Sequence, residues 1–317
     1  MKILKSELNS KCLESLLEIV KQYDEDQDLL KGDFEIQVES LETPKILYHY
    51  TSVNTLLTIF EKVKNKKIIL RGTHVKYLND YSEFSYGTQV LNELIKDYED
   101  QNPGIEIKSE KINENDWMNY SNPDLFAMSD TFITSFSSNQ DNLPMWNLYG
   151  DSGKGVSIGF NVDQLTTLKN FKNNSYKWVK CKYGKNDFIK SLKVNKKVCE
   201  ILYNIFNFNE KSRSYFGDIN PKGVFYALCQ YKDPAFDYEK EYRLIRTSRD
   251  AKISIQNELS KPYVENEIPT SAIKEIVIGP CKDLDLTKNT IEIALQNAGI
   301  AKKDVEIIKS EAPFRNM

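Results

Sequence analysis

Histidine is scarce in this sequence, with only His49 and His74 among 317 residues. A zinc site with three histidine ligands therefore cannot be built. The five cysteines are far apart, and no two of them have the spacing of a metal-binding or redox motif. We predict free thiols and no metal centre.

Long apolar runs and a strong charge of either sign are also missing. No apolar segment approaches the roughly 20 residues of a transmembrane helix. Charges are scattered through the N-terminal segment, where a signal peptide needs an uninterrupted apolar stretch. The formal net charge is -3, so composition gives no global electrostatic case for nucleic-acid binding. We expect a cytoplasmic protein without membrane contact.

The patterns that are present are typical of a mixed α+β fold. Strand-like and helix-like segments alternate without a regular βαβ repeat, which favours a split pair of β-sheets around a cleft, with helices outside. No linker rich in glycine, proline or serine divides the chain. We predict a single domain over residues 1–317 with its core at about 45–280. Helical segments are expected at 1–40 (mainly 5–30), at 81–98 and in an insertion at 185–215.

One motif with a catalytic pattern has a structural interpretation. Residues 155–159 read G-x-S-x-G, the pattern of a nucleophile elbow. That motif needs a serine on a sharp turn and a histidine later in the chain. Ser157 lies inside an apparent strand and no histidine follows it. We predict a strand with glycines at its edges.

The segment LYHYTS (residues 47–52) places His49 at the end of a strand and hydroxyl residues at the start of a helix. Amides at a helix N-terminus favour phosphate, and an imidazole can hydrogen-bond to ribose hydroxyls. The pattern is compatible with an anion or sugar site. From spacing alone, the pattern favours a partly buried histidine packed beneath a helix cap.

The segment EKEYR contains Glu239, Glu241 and Arg243, which would share one face of a strand. The arginine can pair with a carboxylate, and two neighbouring carboxylates can divide roles, one with a raised pKa and one ionised. The alternative is a solvated strand edge with surface ion pairs.

Trp146 and Tyr149 stand three residues apart after the strand FITSFS. On a helix this spacing puts both rings on one face. They would be core residues or a stacking wall for a planar ring.

In combination, several segments resemble a widespread bacterial family of uncharacterised domains over about residues 45–280: LYHYTS, YLNDYSE, FITSFS, MWNLYG, GVSIGF and FDYEKEYRLI. That family is in turn similar to the ADP-ribosyltransferase superfamily. LYHYTS resembles the histidine strand of the H-Y-E transferases and the opening of the DarT toxins, which modify DNA bases. FITSFS resembles the S-T-S strand of the arginine-type transferases, and EKE resembles their E-x-E motif.

The resemblance implies split β-sheets around an NAD cleft, with NAD as a substrate. Glu241 would be the catalytic carboxylate, which stabilises an oxocarbenium-like transition state. Glu239 would activate the acceptor, as the first glutamate does in the arginine-modifying branch. We expect Glu241 to lie in an open cleft.

The resemblance also implies a set of residues that contact the NAD molecule. His49 would hold the adenosine-side ribose, and Arg71 would neutralise the diphosphate. An aromatic residue would sandwich nicotinamide, with Tyr77, Trp146 and Tyr149 as candidates. The complete predicted set is His49, Tyr50, Thr51, Arg71, Tyr77, Ser135, Trp146 and Tyr149.

The function implied by the resemblance is mono-ADP-ribosyl transfer by a bacterial toxin or phage-defence effector. The acceptor would be nucleic acid or protein, and the opening motif favours nucleic acid. An antitoxin protein would be a partner. Two alternatives stay open, namely NAD hydrolysis with water as the acceptor and a non-catalytic module that binds a nucleotide or a partner.

Overall fold

The computed structural model describes residues 44–78, 131–166, 176–184, 229–256 and 259–313. Within these ranges the protein has the mixed α/β character predicted from its sequence, with one large sheet and few helices. The strands are β1 Ile46–Thr51, β2 Lys67–His74, β3 Thr131–Ser137, β4 Val156–Asn161, β5 Tyr176–Lys180, β6 Lys182–Tyr183, β7 Tyr231–Lys232, β8 Glu241–Thr247, β9 Lys252–Gln256, β10 Leu259–Pro269, β11 Ile273–Ile278 and β12 Glu306–Lys309. The α-helices are α1 Val53–Glu61, α2 Leu143–Leu148, α3 Val162–Thr166 and α4 Leu284–Asn297.

Short 3₁₀ helices are found at Val75–Tyr77, Pro234–Glu239, Thr270–Ala272 and Lys302–Asp304. The helices expected at 5–30, at 81–98 and in the insertion at 185–215 lie outside the described residues. No helix in the described ranges has both the length and the apolar character needed to cross a membrane.

Local sequence explains the turn from β1 into α1. The hydroxyl of Ser52 accepts a hydrogen bond of 3.1 Å from the backbone N–H of Thr55, so Ser52 caps the helix. Leu56, Ile59 and Phe60 then fall at helical spacing and are all buried. Burial of each such side chain stabilises the fold by about 1.5–3 kcal/mol.

Hydrogen bonds join ten strands into one branched sheet, whereas the sequence predicted a pair of sheets. Its main path runs β12-β11-β4-β1-β3-β2-β10-β9, and β8 and β5 branch from β3. Every pairing in this sheet is antiparallel except that of β11 with β12, which α4 connects. β6 and β7 form a separate two-stranded parallel ladder.

The branch point is β3. One edge of β3 pairs with β8 along the whole strand. Its other edge is shared, because Thr73 and His74 of β2 pair with its first half while Tyr48 of β1 pairs with Ser137. Residues 134–136 lie between these two attachments, where β1 and β2 separate. We call residues 134–136 of β3 the fork.

The main hydrophobic core lies on one face of the sheet. Strand alternation sends Leu47, Phe136 and Leu244 to this face, where they join the buried side chains of α1 and α4. The opposite face carries a smaller cluster around Tyr48, Tyr50 and Trp146. Ser135, Glu241 and Arg243 of the candidate site project from this second face, whereas His49 alternates with Tyr48 and Tyr50 and projects from the face of the main core.

Ser157 lies within β4 and is completely buried, so the prediction of a strand at residues 155–159 is confirmed. A Cβ atom on Gly155 would lie 2.2 Å from the backbone oxygen of Thr51, so the close approach of these two strands requires glycine there.

Candidate active site

A single row of residues crosses five strands on the second face. Tyr48 pairs with Ser137 on one side and with Gly159 on the other. Ser137 pairs with Glu241, and Gly159 pairs with Glu275. Residues directly opposite each other in neighbouring strands project from the same face. These five residues, which we call the transverse row, therefore have a carboxylate at each end, Glu241 and Glu275.

Glu241 is buried in a cage of charged and polar groups. Its side chain and that of Arg243 leave the same face of β8, and Arg243 Nη2 lies 2.8 Å from Glu241 Oε2. Lys232 Nζ lies 3.0 Å from the same oxygen. The thiol of Cys181 is 3.4 Å from it. The ion pair with Arg243 expected from the sequence is present, but the expectation of an open cleft around Glu241 is wrong, since the residue is only 4% exposed.

Glu239 reaches the same place by a different backbone path. We predicted it on a strand with Glu241, but it is the last residue of the 3₁₀ helix Pro234–Glu239. Lys240 adopts a left-handed conformation, with φ of 43°, and reverses the chain before β8 begins. Tyr149 donates a hydrogen bond of 2.9 Å to Glu239 Oε1, and Lys232 binds Oε2.

The two carboxylates have different electrostatic surroundings. Burial pushes the pKa of Glu241 upward, but Arg243 and Lys232 outweigh it, with help from hydrogen bonds of Arg243 and Ser135, and lower that pKa to about 2. Burial raises the pKa of Glu239, and its nearest cation, Lys232, does not fully offset this. The pair therefore consists of a firmly ionised Glu241 and a Glu239 that takes up a proton more readily.

Ser135, in the fork, connects His49 with Glu241. Its backbone oxygen lies 3.0 Å from His49 Nδ1, and its side chain helps to lower the pKa of the Glu241 carboxyl. Ser135 is itself exposed, so this junction lies at the surface of the second face.

His49, in β1, contacts the fork through the backbone of Ser135 and the ring of Phe136. Its ring lies 5.8 Å from that of Phe136, which belongs to the main core. Burial lowers the pKa of His49, so the ring is neutral at pH 7. Because a carbonyl oxygen can only accept, Nδ1 carries the proton and Nε2 is an acceptor.

Three of the predicted NAD-contacting residues, Arg71, Tyr77 and Thr51, have other contacts or are buried. Arg71 lies over the ring of Tyr263 at 4.3 Å and donates to Ser254 Oγ, which directs its charge toward β9 and away from the fork. Tyr77 packs its ring 5.8 Å from His74. Thr51 is buried at the end of β1.

Trp146 and Tyr50 form part of the smaller core cluster. Trp146 is fully buried, its Nε1 donates to Asp141, and its ring meets Tyr50 edge-on at 4.9 Å. Tyr50 donates to the backbone oxygen of Asn139 and accepts from the N–H of Asn142. Both rings therefore support the loop that follows β3, and neither indole face is open to a ligand.

Sequence reasoning missed Lys232. It lies in β7, between an aromatic residue and the aspartate that caps the 3₁₀ helix, and nothing in its spacing distinguishes it from a solvated lysine. Tyr183, whose hydroxyl accepts a hydrogen bond of 2.7 Å from the backbone N–H of Glu241, was also missed.

A family model described as a protein of unknown function (DUF2971) matches residues 145–244. No curated protein matches the chain. Among solved structures, the chain is similar to Thermus sp. 2.9 DarT in complex with ADP-ribosylated ssDNA, with 10% sequence identity and a TM-score of 0.31. That alignment covers 83% of this chain and 94% of the DarT chain. The family match runs from α2 into β8 and thus includes Glu239, Glu241 and Lys232.

Proposed function

We propose that the protein is an NAD-dependent mono-ADP-ribosyltransferase. The observation that carries this proposal is the junction at Ser135, whose backbone oxygen binds a neutral histidine, beside a Glu241 carboxylate that Arg243 and Lys232 keep ionised. His49, Ser135 and Glu241 come from three separate strands, and they are the ones that the sequence motifs single out.

The arrangement suits cleavage of the bond between ribose and nicotinamide. As that bond breaks, nicotinamide leaves as a neutral molecule with the bonding electron pair, and positive charge develops on the ribose. A carboxylate held ionised beside an exposed hydroxyl is preorganised to stabilise this charge. We assign this role to Glu241, and to His49 the binding of a ribose hydroxyl through Nε2.

Glu239 would complete the transfer. The acceptor nucleophile forms a bond to the ribose carbon and loses its proton, which the Glu239 carboxylate would take up. Tyr149 binds Glu239 and is only partly buried, so it extends the site toward solvent. This makes Tyr149 a better candidate for contact with nicotinamide than Trp146.

We propose nucleic acid as the acceptor and toxin or defence activity as the biological role. Both follow from the likeness of LYHYTS to the opening motif of DNA-modifying transferases. Water is the alternative acceptor, because it could occupy the place of any nucleophile near Glu239.

NAD labelled separately in its adenylate and nicotinamide halves tests the proposal. The protein is incubated with this NAD and with single-stranded DNA, RNA or a protein mixture. We expect release of nicotinamide and retention of adenylate label on an oligonucleotide. Free ADP-ribose without retained label would favour NAD hydrolysis, and no release of nicotinamide would contradict the proposal. Glu275→Gln serves as the matched control because it alters a buried carboxylate on the same face but away from the fork.

A further inference from the structure

Lys232 is the one side chain that contacts both carboxylates of the site among the described residues. Its ammonium group lies 3.0 Å from Glu241 Oε2 and also binds Glu239 Oε2. All three side chains are at most 5% exposed. The ring of Phe236 lies 5.0 Å from the same ammonium group.

The backbone explains how these groups meet. Lys232 ends β7, Asp233 caps the 3₁₀ helix that follows, and that helix ends at Glu239. The chain therefore turns back between Lys232 and Glu241, and ion pairs of the lysine ammonium group connect the beginning of this segment to its end.

The remaining contacts divide unequally between the two glutamates. Arg243 binds Glu241, and its other terminal nitrogen donates to the backbone oxygen of Cys229. Glu239 has the neutral hydroxyl of Tyr149 as its further partner. Lys232 is thus the principal cation for Glu239, whereas Glu241 has a guanidinium as well. Two neighbouring carboxylates repel each other, and the repulsion raises the pKa of the one that has fewer cationic partners.

We propose that Lys232 is a positioning residue that keeps Glu239 negatively charged beside Glu241, so that Glu239 can accept the proton of the incoming acceptor. The inference rests on the proposed transferase function and adds to it a residue outside the sequence motifs. Lys232 acts through Glu239 and has no assigned contact with NAD.

Two substitutions separate a role in charge from a role in packing. Lys232→Met keeps most of the side-chain volume and removes the charge, and Lys232→Arg keeps the charge. At pH 7, Lys232→Met should lower the ratio of ADP-ribose transferred to nicotinamide released by at least about tenfold, since loss of a close opposite charge raises a carboxyl pKa by roughly 1–3 units. Lys232→Arg should retain most of the ratio.

The pH profile supplies the decisive readout. Raising the pH should restore transfer by Lys232→Met, because Glu239 then loses its proton, but it should not restore transfer by Glu239→Gln. A folded Lys232→Met protein with the wild-type ratio at every pH would overturn the proposal. So would a ratio that stays low at every pH. Lys67→Met, at an exposed pair with Glu267, is the control and should behave as wild type.

A second readout is independent of turnover. A carboxyl whose pKa is raised by folding costs stability as the pH rises from its unfolded pKa through its folded pKa. The free energy of unfolding in urea should therefore fall further toward neutral pH in Lys232→Met than in wild type, and Glu239→Gln in the same chain should remove that extra fall. If wild type does not cleave NAD, the proposed function fails while this stability series still tests the lysine. If the free energy of unfolding depends on pH identically in all variants, the proposed role of Lys232 is overturned.

Discussion

The transverse row ends in two buried carboxylates whose surroundings differ. Glu241 is 4% exposed and touches two cations, Lys232 and Arg243. Glu275 is 9% exposed and is bound by two neutral donors, the hydroxyl of Tyr48 and the amide of Gln140 at 3.1 Å. The same face of the same sheet thus buries one carboxylate with neutral partners and the other with a cluster of charges.

The difference supports the proposed role of Glu241 rather than one for Glu275. Neutral donors are enough to satisfy a buried carboxylate, as the Glu275 end demonstrates. Buried ion clusters carry a desolvation cost and are often no more stabilising than apolar packing. The cluster at Glu241 is therefore better explained by a need for a fixed negative charge than by a need for stability.

Removal of one charge should destabilise the two ends to different extents. Glu241→Gln leaves Lys232 and Arg243 with one carboxylate fewer, and we expect the free energy of unfolding to fall by about 3–5 kcal/mol. Glu275→Gln keeps an oxygen that accepts from Tyr48 and Gln140, so a loss of about 1 kcal/mol is expected. Urea denaturation of both variants at pH 7 measures the difference. Equal losses at the two ends would remove the distinction between them.

Filling the space at Gly159 should affect only the Glu275 end. A Cβ atom there would lie 2.6 Å from Glu275 Cγ and 3.0 Å from Ile46 Cγ2. Gly159→Ala should therefore cost about 1–3 kcal/mol of stability through overpacking. Thermal melting checks the stability, and nicotinamide release per folded molecule should match wild type. A slowed release would mean that the two ends of the row are coupled.

Lowering the pH should separate transfer from NAD cleavage. Glu239 has the raised pKa and Glu241 the lowered one, so acid protonates Glu239 first. The ratio of transfer to nicotinamide release should fall by about tenfold for each pH unit below the pKa of Glu239, while release continues. Label transfer and release are measured in parallel from neutral to mildly acidic pH.

Glu239→Gln provides the control for this pH series. Its ratio should be low and independent of pH, because the amide cannot take up the acceptor's proton. A wild-type ratio that does not change with pH would contradict the division of roles between the two glutamates.

The strands that frame the site follow from local sequence. Aromatic and β-branched residues at alternating positions identify β1 and β3, and a serine cap with apolar residues at helical spacing identifies α1. The assignment of Ser157 to a strand rather than to a nucleophile elbow follows from the absence of any histidine after it. Such features need information from only a few neighbouring residues.

The site itself depends on contacts that local patterns do not encode. Lys232 meets Glu239 and Glu241 because a 3₁₀ helix and a left-handed Lys240 fold the chain back on itself. Alternation along EKEYR predicted a continuous strand because it carries no information about that reversal. The spacing of Trp146 and Tyr149 could not decide between a core residue and a ligand-stacking residue, because an aromatic pair at i and i+3 has the same pattern in both settings.

Release of nicotinamide from labelled NAD in a single turnover compares the two ends of the row most directly. The assay uses Glu241→Gln and Glu275→Gln at a temperature where melting curves show both proteins folded. We expect Glu241→Gln to release nicotinamide about 10²–10³ times more slowly than wild type, because one preorganised electrostatic contact is lost. Glu275→Gln should stay close to the wild-type rate. A folded Glu241→Gln protein that releases nicotinamide at the wild-type rate would remove Glu241 from the mechanism and contradict the proposed function.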